Sequence, residues 1–266
     1  MKKVAFIGTG NMGGALIRAA CRALGPEQVV ITDPLAEKAK ALADELGCIT
    51  VPTNDDAART AKYIFLCVKP QVMPKMLTAL APSLSDDNVL VSIAAGIKLA
   101  DIHSDIGRDL PLLRIMPNTC AAIGQGMIAL TAAEGVEDIH WAAVEEILSC
   151  AGRIERMEEK LIDAFTALAG SGPAYVDLFI EALADGAVMA GIPRQQALTY
   201  AAQTVMGSAA MILESGKHPG ILKDEVCSPA GSTIAGVAVL EQHSFRYASM
   251  EAVMAAYRKN IDLGKR

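Results

Sequence analysis

The chain has 266 residues, enough for one large domain or two ordinary ones with a substantial buried core. Its formal charge of −6, with no cluster of Lys and Arg, disfavours a nucleic-acid surface, and no apolar run approaches the roughly 18 residues of a membrane span. Its six cysteines (Cys21, Cys48, Cys67, Cys120, Cys150, Cys227) stand singly, without metal-ligand or redox spacing, and read as small core residues of a reduced, cytoplasmic protein with no bound metal.

In chain order, the apolar start is broken by Gly8 and Gly10, so it reads as a strand rather than a leader. Short β-branched runs then alternate with helical patterns, the signature of parallel strands joined by helical crossovers. The predicted strands are Val4–Gly8, Val29–Thr32, Tyr63–Val68, Val89–Ala94, Leu112–Met116, Met127–Leu130 and Arg153–Met157. The predicted helices between them cover Gly14–Leu24, Ala36–Leu46, Gln71–Leu80 and Asp138–Ala151. After Glu158 the alternation stops. Helices are expected over Lys160–Leu168, Pro173–Ala190, Arg194–Glu214, Thr233–Glu241 and from about Met250, with Gly191-Ile192-Pro193 and Ser215-Gly216 as punctuation. The expected fold is α/β: a Rossmann-type, doubly wound, mostly parallel sheet over residues 1–157, then an all-helical domain over 158–266.

Gly8-Thr9-Gly10-Asn11-Met12-Gly13 follows the first strand and opens the first helix. In that context the glycines have separate tasks. Gly8 permits the tight turn, Gly10 lets backbone approach a pyrophosphate, and Gly13 allows close helix–strand packing, while the helix start offers free N–H groups. A nicotinamide dinucleotide, NADH or NADPH, is the implied cofactor. Asp33 lies twenty residues after Gly13 at the end of the second strand. There it either accepts ribose hydroxyls, which favours NADH over the 2′-phosphate of NADPH, or caps the turn with Pro34. Lys38 and Lys40 are near enough to tolerate a phosphate. Three stretches at strand C-termini could leave room for a nicotinamide or be ordinary loops: Cys67-Val68-Lys69-Pro70, Ala94-Ala95-Gly96 and Met116-Pro117-Asn118-Thr119.

In the helical half, Cys227-Ser228-Pro229-Ala230-Gly231-Ser232-Thr233 runs into a helix. Successive N–H groups and the hydroxyls of Ser228, Ser232 and Thr233 suit a carboxylate without Arg or Lys, or they make an ordinary N-cap after a Pro/Gly turn.

These motifs together resemble the pyrroline-5-carboxylate reductase family over essentially the whole chain. The resemblance rests on the glycine loop, Val68-Lys69-Pro70, Ala94-Ala95-Gly96, Arg114 to Thr119, Gly170-Ser171-Gly172-Pro173-Ala174-Tyr175, His218-Pro219-Gly220, and Cys227 to Thr233. It implies reduction of the cyclic imine L-1-pyrroline-5-carboxylate to L-proline by hydride from NAD(P)H. Ser228, Gly231, Ser232 and Thr233 would bind the carboxylate, and the Thr233 hydroxyl would act as the catalytic partner of the ring nitrogen. Asn54 would lie by the cofactor ribose, Val68, Lys69 and Pro70 would line the cleft, and Ala94, Ala95, Met116 and Asn118 would flank the nicotinamide. The family also implies a homodimer through the C-terminal helices, extended to a ring such as a decamer, setting Thr233 of one subunit against the cofactor of another. Ala230 departs from the glycine usual there, and its methyl bears on any φ > 0 conformation of the loop.

An iminium carbon is already electrophilic, so orientation matters more than a strong protein acid. Consistently, none of His103, His140, His218 and His243 sits in an acid–base dyad pattern. Two other readings stand beside this one. A β-hydroxyacid dehydrogenase shares a similar glycine loop, but its lysine after a glycine-rich helix start has no counterpart after Gly172. A non-catalytic dinucleotide sensor would have no use for the Ser228–Thr233 segment.

Overall fold

The computed structural model describes residues 2–264; Met1, Lys265 and Arg266, at the ends of the two expected domains, lie outside the described residues. The chain forms two compact units, one running to Ser171 and taking up the stretch from Tyr257 onward, the other Gly172–Ala256.

Among the described residues the first unit is built on eight strands: β1 (Lys2–Ile7), β2 (Val29–Thr32), β3 (Ile49–Thr50), β4 (Ala61–Leu66), β5 (Val89–Ser92), β6 (Leu112–Met116), β7 (Gly126–Ala132) and β8 (Gly152–Arg156). They lie in one sheet in the order β3-β2-β1-β4-β5-β6-β7-β8, parallel except where β7 runs against β6. The central strands are apolar on both faces because both faces are covered. Helices α1 (Asn11–Leu24), α2 (Ala36–Leu46), α3 (Asn54–Thr60), α4 (Met73–Leu80), α5 (Leu99–Ile106) and α6 (Asp138–Leu148) supply that cover. Val4 and Phe6 pack with Leu16 and Ile17 of α1, Leu42 of α2 and Ile147 of α6. Their neighbours Ala5 and Ile7 join Ala57 of α3, Leu77 of α4 and Ile102 of α5 on the opposite face. Phe6 and Phe65 are register partners and stack at 4.7 Å across the middle of the sheet, a pairing worth about 1 kcal/mol beyond its burial.

The predicted helix over 160–168 is two pieces, α7 (Ile162–Phe165) and a π-helical turn over Thr166–Gly170. Ile162 and Phe165 pack on Met116 and Ala129, which anchors this segment to the sheet of the first unit.

The second unit holds α8 (Gly172–Met189), α9 (Arg194–Ser215), α10 (Pro219–Val226), α11 (Ser232–Gln242) and the start of α12 (Phe245–Leu263). His218 caps α10 by accepting from the Gly220 N–H at 3.1 Å, and Gly216 ends α9 in the left-handed region. Phe179 and Phe245 lie 5.5 Å apart, joining α8 to α12. The buried core of this unit is small, centred on Ala184, Ala197 and Ala201. Leu178, Met189 (90% exposed), Leu213 (70%) and Tyr247 remain open.

One buried polar pair gives the first unit a pH dependence. The Tyr63 hydroxyl lies 3.2 Å from His140 Nδ1. Burial, helped by the Lys62 cation and opposed by Glu137, holds the imidazole below its ordinary value. The unfolded chain therefore takes up this proton first, so stability is full above about pH 6.5 and falls as the pH drops below it. Urea midpoints of the natural chain should decline from about pH 7 towards about pH 5, the range over which an unshifted His titrates. His140→Gln should flatten that slope, and an unaltered slope would remove His140 as its source.

Candidate active site

Strand order reverses around β1: the chain moves outward through β2 and β3, then crosses back to β4 on the other side. Loops leaving β1 and β4 diverge there and open a crevice at the strand C-termini. Gly8 has φ +107°, and a Cβ on it would lie 2.5 Å from the Cys67 carbonyl oxygen; one on Gly13 would lie 2.3 Å from the Gly8 oxygen. At their roots, therefore, the β1 turn touches the end of β4 at Cys67 and the first turn of α1 touches the β1 turn, approaches that only glycine permits at these points. Gly10 differs, with nothing within 4 Å of where its Cβ would stand. It is the N-cap of α1, which has neither a side-chain cap nor an acidic residue in its first turn. The first N–H groups of α1 are left for an anion.

A cleft of about 540 Å³ lies beside this loop. Gly10, Asn11, Met12 and Gly13 form one wall, Val68, Lys69 and Pro70 a second, and Ala94, Ala95 and Met116 a third. Lys38, Cys67, Ile93 and Pro117 complete it. Burial pushes the Cys67 thiol up, so it lines the cleft as a neutral small residue. Lys38 also lines the adjoining hollow near Arg18 and Glu45, making it the cation shared by both spaces. The residues present fit a dinucleotide: a cradle that a Cβ would fill, uncapped amides, and a largely apolar slot beyond them. Among the described residues no group of His, Cys, Asp and Glu is placed to hold a metal.

Four expected residues lie outside the walls of this cleft: Gly8, buried at the turn beneath it, and Asp33, Asn54 and Asn118. Asp33 Oδ2 accepts from the Thr9 amide at 2.8 Å and the Thr9 hydroxyl at 2.9 Å, while Oδ1 accepts from the Leu35 amide at 2.9 Å. Burial alone would raise this carboxyl, but those bonds and the Lys38 cation outweigh it and hold it below the usual carboxylate range. Asp33 is thus an anion at neutral pH and pins the second residue of the glycine loop. Asn54 is the first residue of α3, behind the Thr53 cap. Asn118 is buried, with Nδ2 donating to the Ala169 carbonyl at 3.0 Å and Oδ1 accepting from the Met127 amide at 3.2 Å. It ties the β6 loop to the π-helical turn.

In the second unit, Ser228 to Gly231 form a turn closed by the Gly231 amide donating to the Ser228 carbonyl at 3.0 Å. That commits one expected donor and leaves the amides of Ser232 and Thr233 at the start of α11, which has no side-chain cap. A Cβ on Gly231 would fall 2.4 Å from Ser228 Oγ. The side chains of Ser228, Ser232 and Thr233 are exposed. Ala230 sits at φ +58°, the third position of a turn with Pro229 second, where glycine is favoured. Ala230→Gly should therefore raise stability by up to about 1 kcal/mol, read as a higher urea midpoint; a lower midpoint would show that the methyl is stabilised by its surroundings.

Against known proteins, residues 159–263 match the family model described as pyrroline-5-carboxylate reductase dimerisation. Residues 3–96 match that described as NADP oxidoreductase coenzyme F420-dependent. Pyrroline-5-carboxylate reductase of Escherichia coli (strain K12) is 43% identical over 266 residues, covering 99% of each chain. The chain belongs to the pyrroline-5-carboxylate reductase family. Two solved members share its fold over nearly their full lengths. The Plasmodium falciparum enzyme with NADP bound has 32% identity, coverage of 99% and 98%, and a TM-score of 0.89. That of Streptococcus pyogenes has 36% identity, coverage of 98% for both chains, and a TM-score of 0.87.

Family membership sets aside the β-hydroxyacid dehydrogenase reading, whose lysine the sequence already lacked. The helical half carries the family's dimerisation domain. Sequence reasoning did not single out Ile93 or assign Lys38 to the cleft. The signal for Ile93 was its place immediately before Ala94 at a strand end. For Lys38 it was the third position of a helix that starts beside the glycine loop.

Proposed function

We propose that this chain reduces the C=N bond of L-1-pyrroline-5-carboxylate to give L-proline, using NAD(P)H. The observation that carries the reading is the full-length kinship to these reductases in a chain whose own geometry supplies a dinucleotide cleft and a separate, uncapped, hydroxyl-rich helix start. The dinucleotide would supply the hydride to the imine carbon, and the ring nitrogen would carry a proton taken from solvent, so that the product is the neutral ring amine.

The residues divide the remaining work. Gly8, Gly10, Asn11, Met12 and Gly13 bring backbone to the pyrophosphate, and Val68, Lys69, Pro70, Ala94, Ala95 and Met116 shape a slot that excludes water from the nicotinamide. Asn118 holds the loop after Met116 from behind. In the second unit Ser228 Oγ and the amides of Ser232 and Thr233 take the substrate carboxylate, Gly231 leaves room for Ser228, and the Thr233 hydroxyl bonds the ring nitrogen. An anion among neutral donors at a helix start is stabilised without a cation, consistent with the absence of Arg and Lys from 226–233.

The charge on Asp33 favours NADH, with Asp33 and Asn54 placed towards the ribose end of the dinucleotide; Lys38 pulls the other way, towards a 2′-phosphate. The chain is proposed to work in the cytoplasm, on the strength of its six unpaired cysteines and of having, among the described residues, no helix long and apolar enough to cross a membrane. A homodimer through the C-terminal helices, and from it a ring such as a decamer, is supported by the small core and open apolar side chains of the second unit. The deciding experiment is steady-state kinetics with pyrroline-5-carboxylate and each reduced cofactor. Oxidation of NADH with the higher kcat/KM is expected; no oxidation of either cofactor would favour a sensor, and a preference for NADPH would assign the selecting role to Lys38.

A further inference from the structure

Arg114 is buried in the sheet, its side chain 3% exposed, yet it occupies a β6 position that an apolar residue could fill. Its Nη1 donates to Glu159 Oε1 at 3.0 Å, while its Nε is buried without a partner. An ion pair with a buried guanidinium, a half-buried carboxylate and one unsatisfied buried donor is a poor stabilising device, and well-packed apolar residues often do as well. The placement of the pair suggests another task. The same Glu159 oxygen also accepts from the Leu99 amide at 2.8 Å. Leu99 begins α5 after the N-cap Lys98, whose own amide donates to Asp101 Oδ2 at 3.1 Å; the Glu159 carboxylate is a second acceptor at this helix start.

One oxygen therefore joins two cleft walls. Arg114 lies two residues before Met116 on the same face of β6. Leu99 follows Ala94 and Ala95 through Gly96, which turns at φ +74°. Glu159 itself leads into the segment whose Ile162 and Phe165 pack against Met116. We propose that Glu159, with Arg114, is a positioning residue for hydride transfer, fixing the separation of the Ala94–Ala95 and Met116 walls. This inference rests on the reductase reading for its reaction, and on geometry alone for the clamp.

The test compares Glu159→Ala, Glu159→Gln and the apolar pair Arg114→Met with Glu159→Leu in the full-length protein. The readouts are kcat, KM, the deuterium isotope effect on kcat with C4-deuterated cofactor, melting temperature, and fluorescence of bound NADH. Misplacement of reacting groups by an ångström costs on the order of 100-fold. Glu159→Ala should lose about 30-fold in kcat, within that range, with a larger isotope effect, while NADH affinity stays within about threefold and the bound nicotinamide shows lower anisotropy. Glu159→Gln keeps an acceptor for Leu99, so it should retain more of kcat; it also decides the matter if the alanine variant fails to fold. The apolar pair should recover the natural melting temperature but not kcat. Recovery of natural kcat by the apolar pair, or natural kcat in Glu159→Gln together with natural nicotinamide anisotropy in Glu159→Ala, overturns the proposal. Absence of turnover in the natural chain would instead overturn the reductase reading, and the fluorescence of bound NADH would still decide the clamp.

Discussion

Gly13→Ala should raise the dissociation constant for NADH by at least about 100-fold, equivalent to about 2.7 kcal/mol, and should also destabilise the fold. The added methyl would stand 2.3 Å from the Gly8 carbonyl oxygen and 3.1 Å from the Cys67 Cβ. The nearer neighbour is backbone, so no side-chain rotation relieves the contact. Either α1 lifts from β1 or the turn at Gly8 opens, and both displace the amides that would receive the pyrophosphate. Overpacking of this kind costs about 1–3 kcal/mol. Gly10→Ala is the control that separates binding from folding. Nothing lies within 4 Å of its Cβ position, so its melting temperature should stay close to the natural one while affinity still falls, because the methyl enters the cleft. Isothermal titration with NADH and thermal melts of both variants measure this. Natural affinity in Gly13→Ala would mean that the glycine loop is not the pyrophosphate site.

The same loop shows why much of the cleft was legible in the sequence. Its glycines sit between a short continuous apolar run, the mark of a strand covered on both faces, and a helix with a period of 3.6, and Val29–Thr32, Ala36–Leu46 and Leu112–Met116 fall where such runs and periods place them. The stretches Val68–Pro70 and Ala94–Ala95 could be found because strand C-termini collect at one edge of a parallel sheet. What escaped was shorter or depended on distant partners. The strand Ile49–Thr50 is two residues long, below any periodicity. Helix α3 is polar in sequence, and its start depends on the Thr53 hydroxyl accepting from the Asp56 amide at 3.1 Å. Helix α5 begins after Lys98, outside the usual capping types; Asp101 accepts from the Lys98 amide at 3.1 Å, and Glu159, sixty residues beyond Leu99, accepts from the Leu99 amide. Helix α10 is capped by a histidine, outside the usual capping types.

The candidate site residues divide along the same physical line. A small residue at a strand end can be placed beside the crevice from local pattern, as for Ala94 and Ala95, which line the cleft, while their place beside a nicotinamide is what the family resemblance implies. A polar side chain has several possible partners, and local pattern does not choose among them. Asp33 could have faced a ribose or its own turn; in the fold both of its oxygens accept from Thr9 and Leu35. Asn118 was assigned to the nicotinamide wall, and its amide is spent on Ala169 and Met127. Asp33 braces the glycine loop and Asn118 the loop after Met116, contacts that become visible only when residues distant in sequence are brought together.

Thr233→Ala should lower kcat by about 100-fold, comparable to loss of one aimed hydrogen-bond donor at a reacting centre, while NADH affinity stays within about twofold. Thr233 lies on the first turn of α11, its side chain exposed and making no cap bond, so its loss should leave the fold within about 0.5 kcal/mol of natural stability. That separation allows the kinetic effect to be assigned to chemistry. The imine nitrogen gains electron density as hydride reaches the neighbouring carbon, and a hydroxyl bonded to it is worth more in that state than in the bound substrate. Thr233→Ser retains the hydroxyl and should remain within about fivefold of natural kcat, a small fraction of the loss expected for a removed donor. Ser228→Ala should behave differently, because a carboxylate contact is made equally in substrate and transition state. Loss of a hydrogen bond to a charged group costs about 1.5–3 kcal/mol, so KM for the imino acid should rise more than tenfold with kcat little changed. Equal kcat in Thr233→Ala and the natural chain would remove Thr233 from the reaction and leave the helix start as a carboxylate site alone.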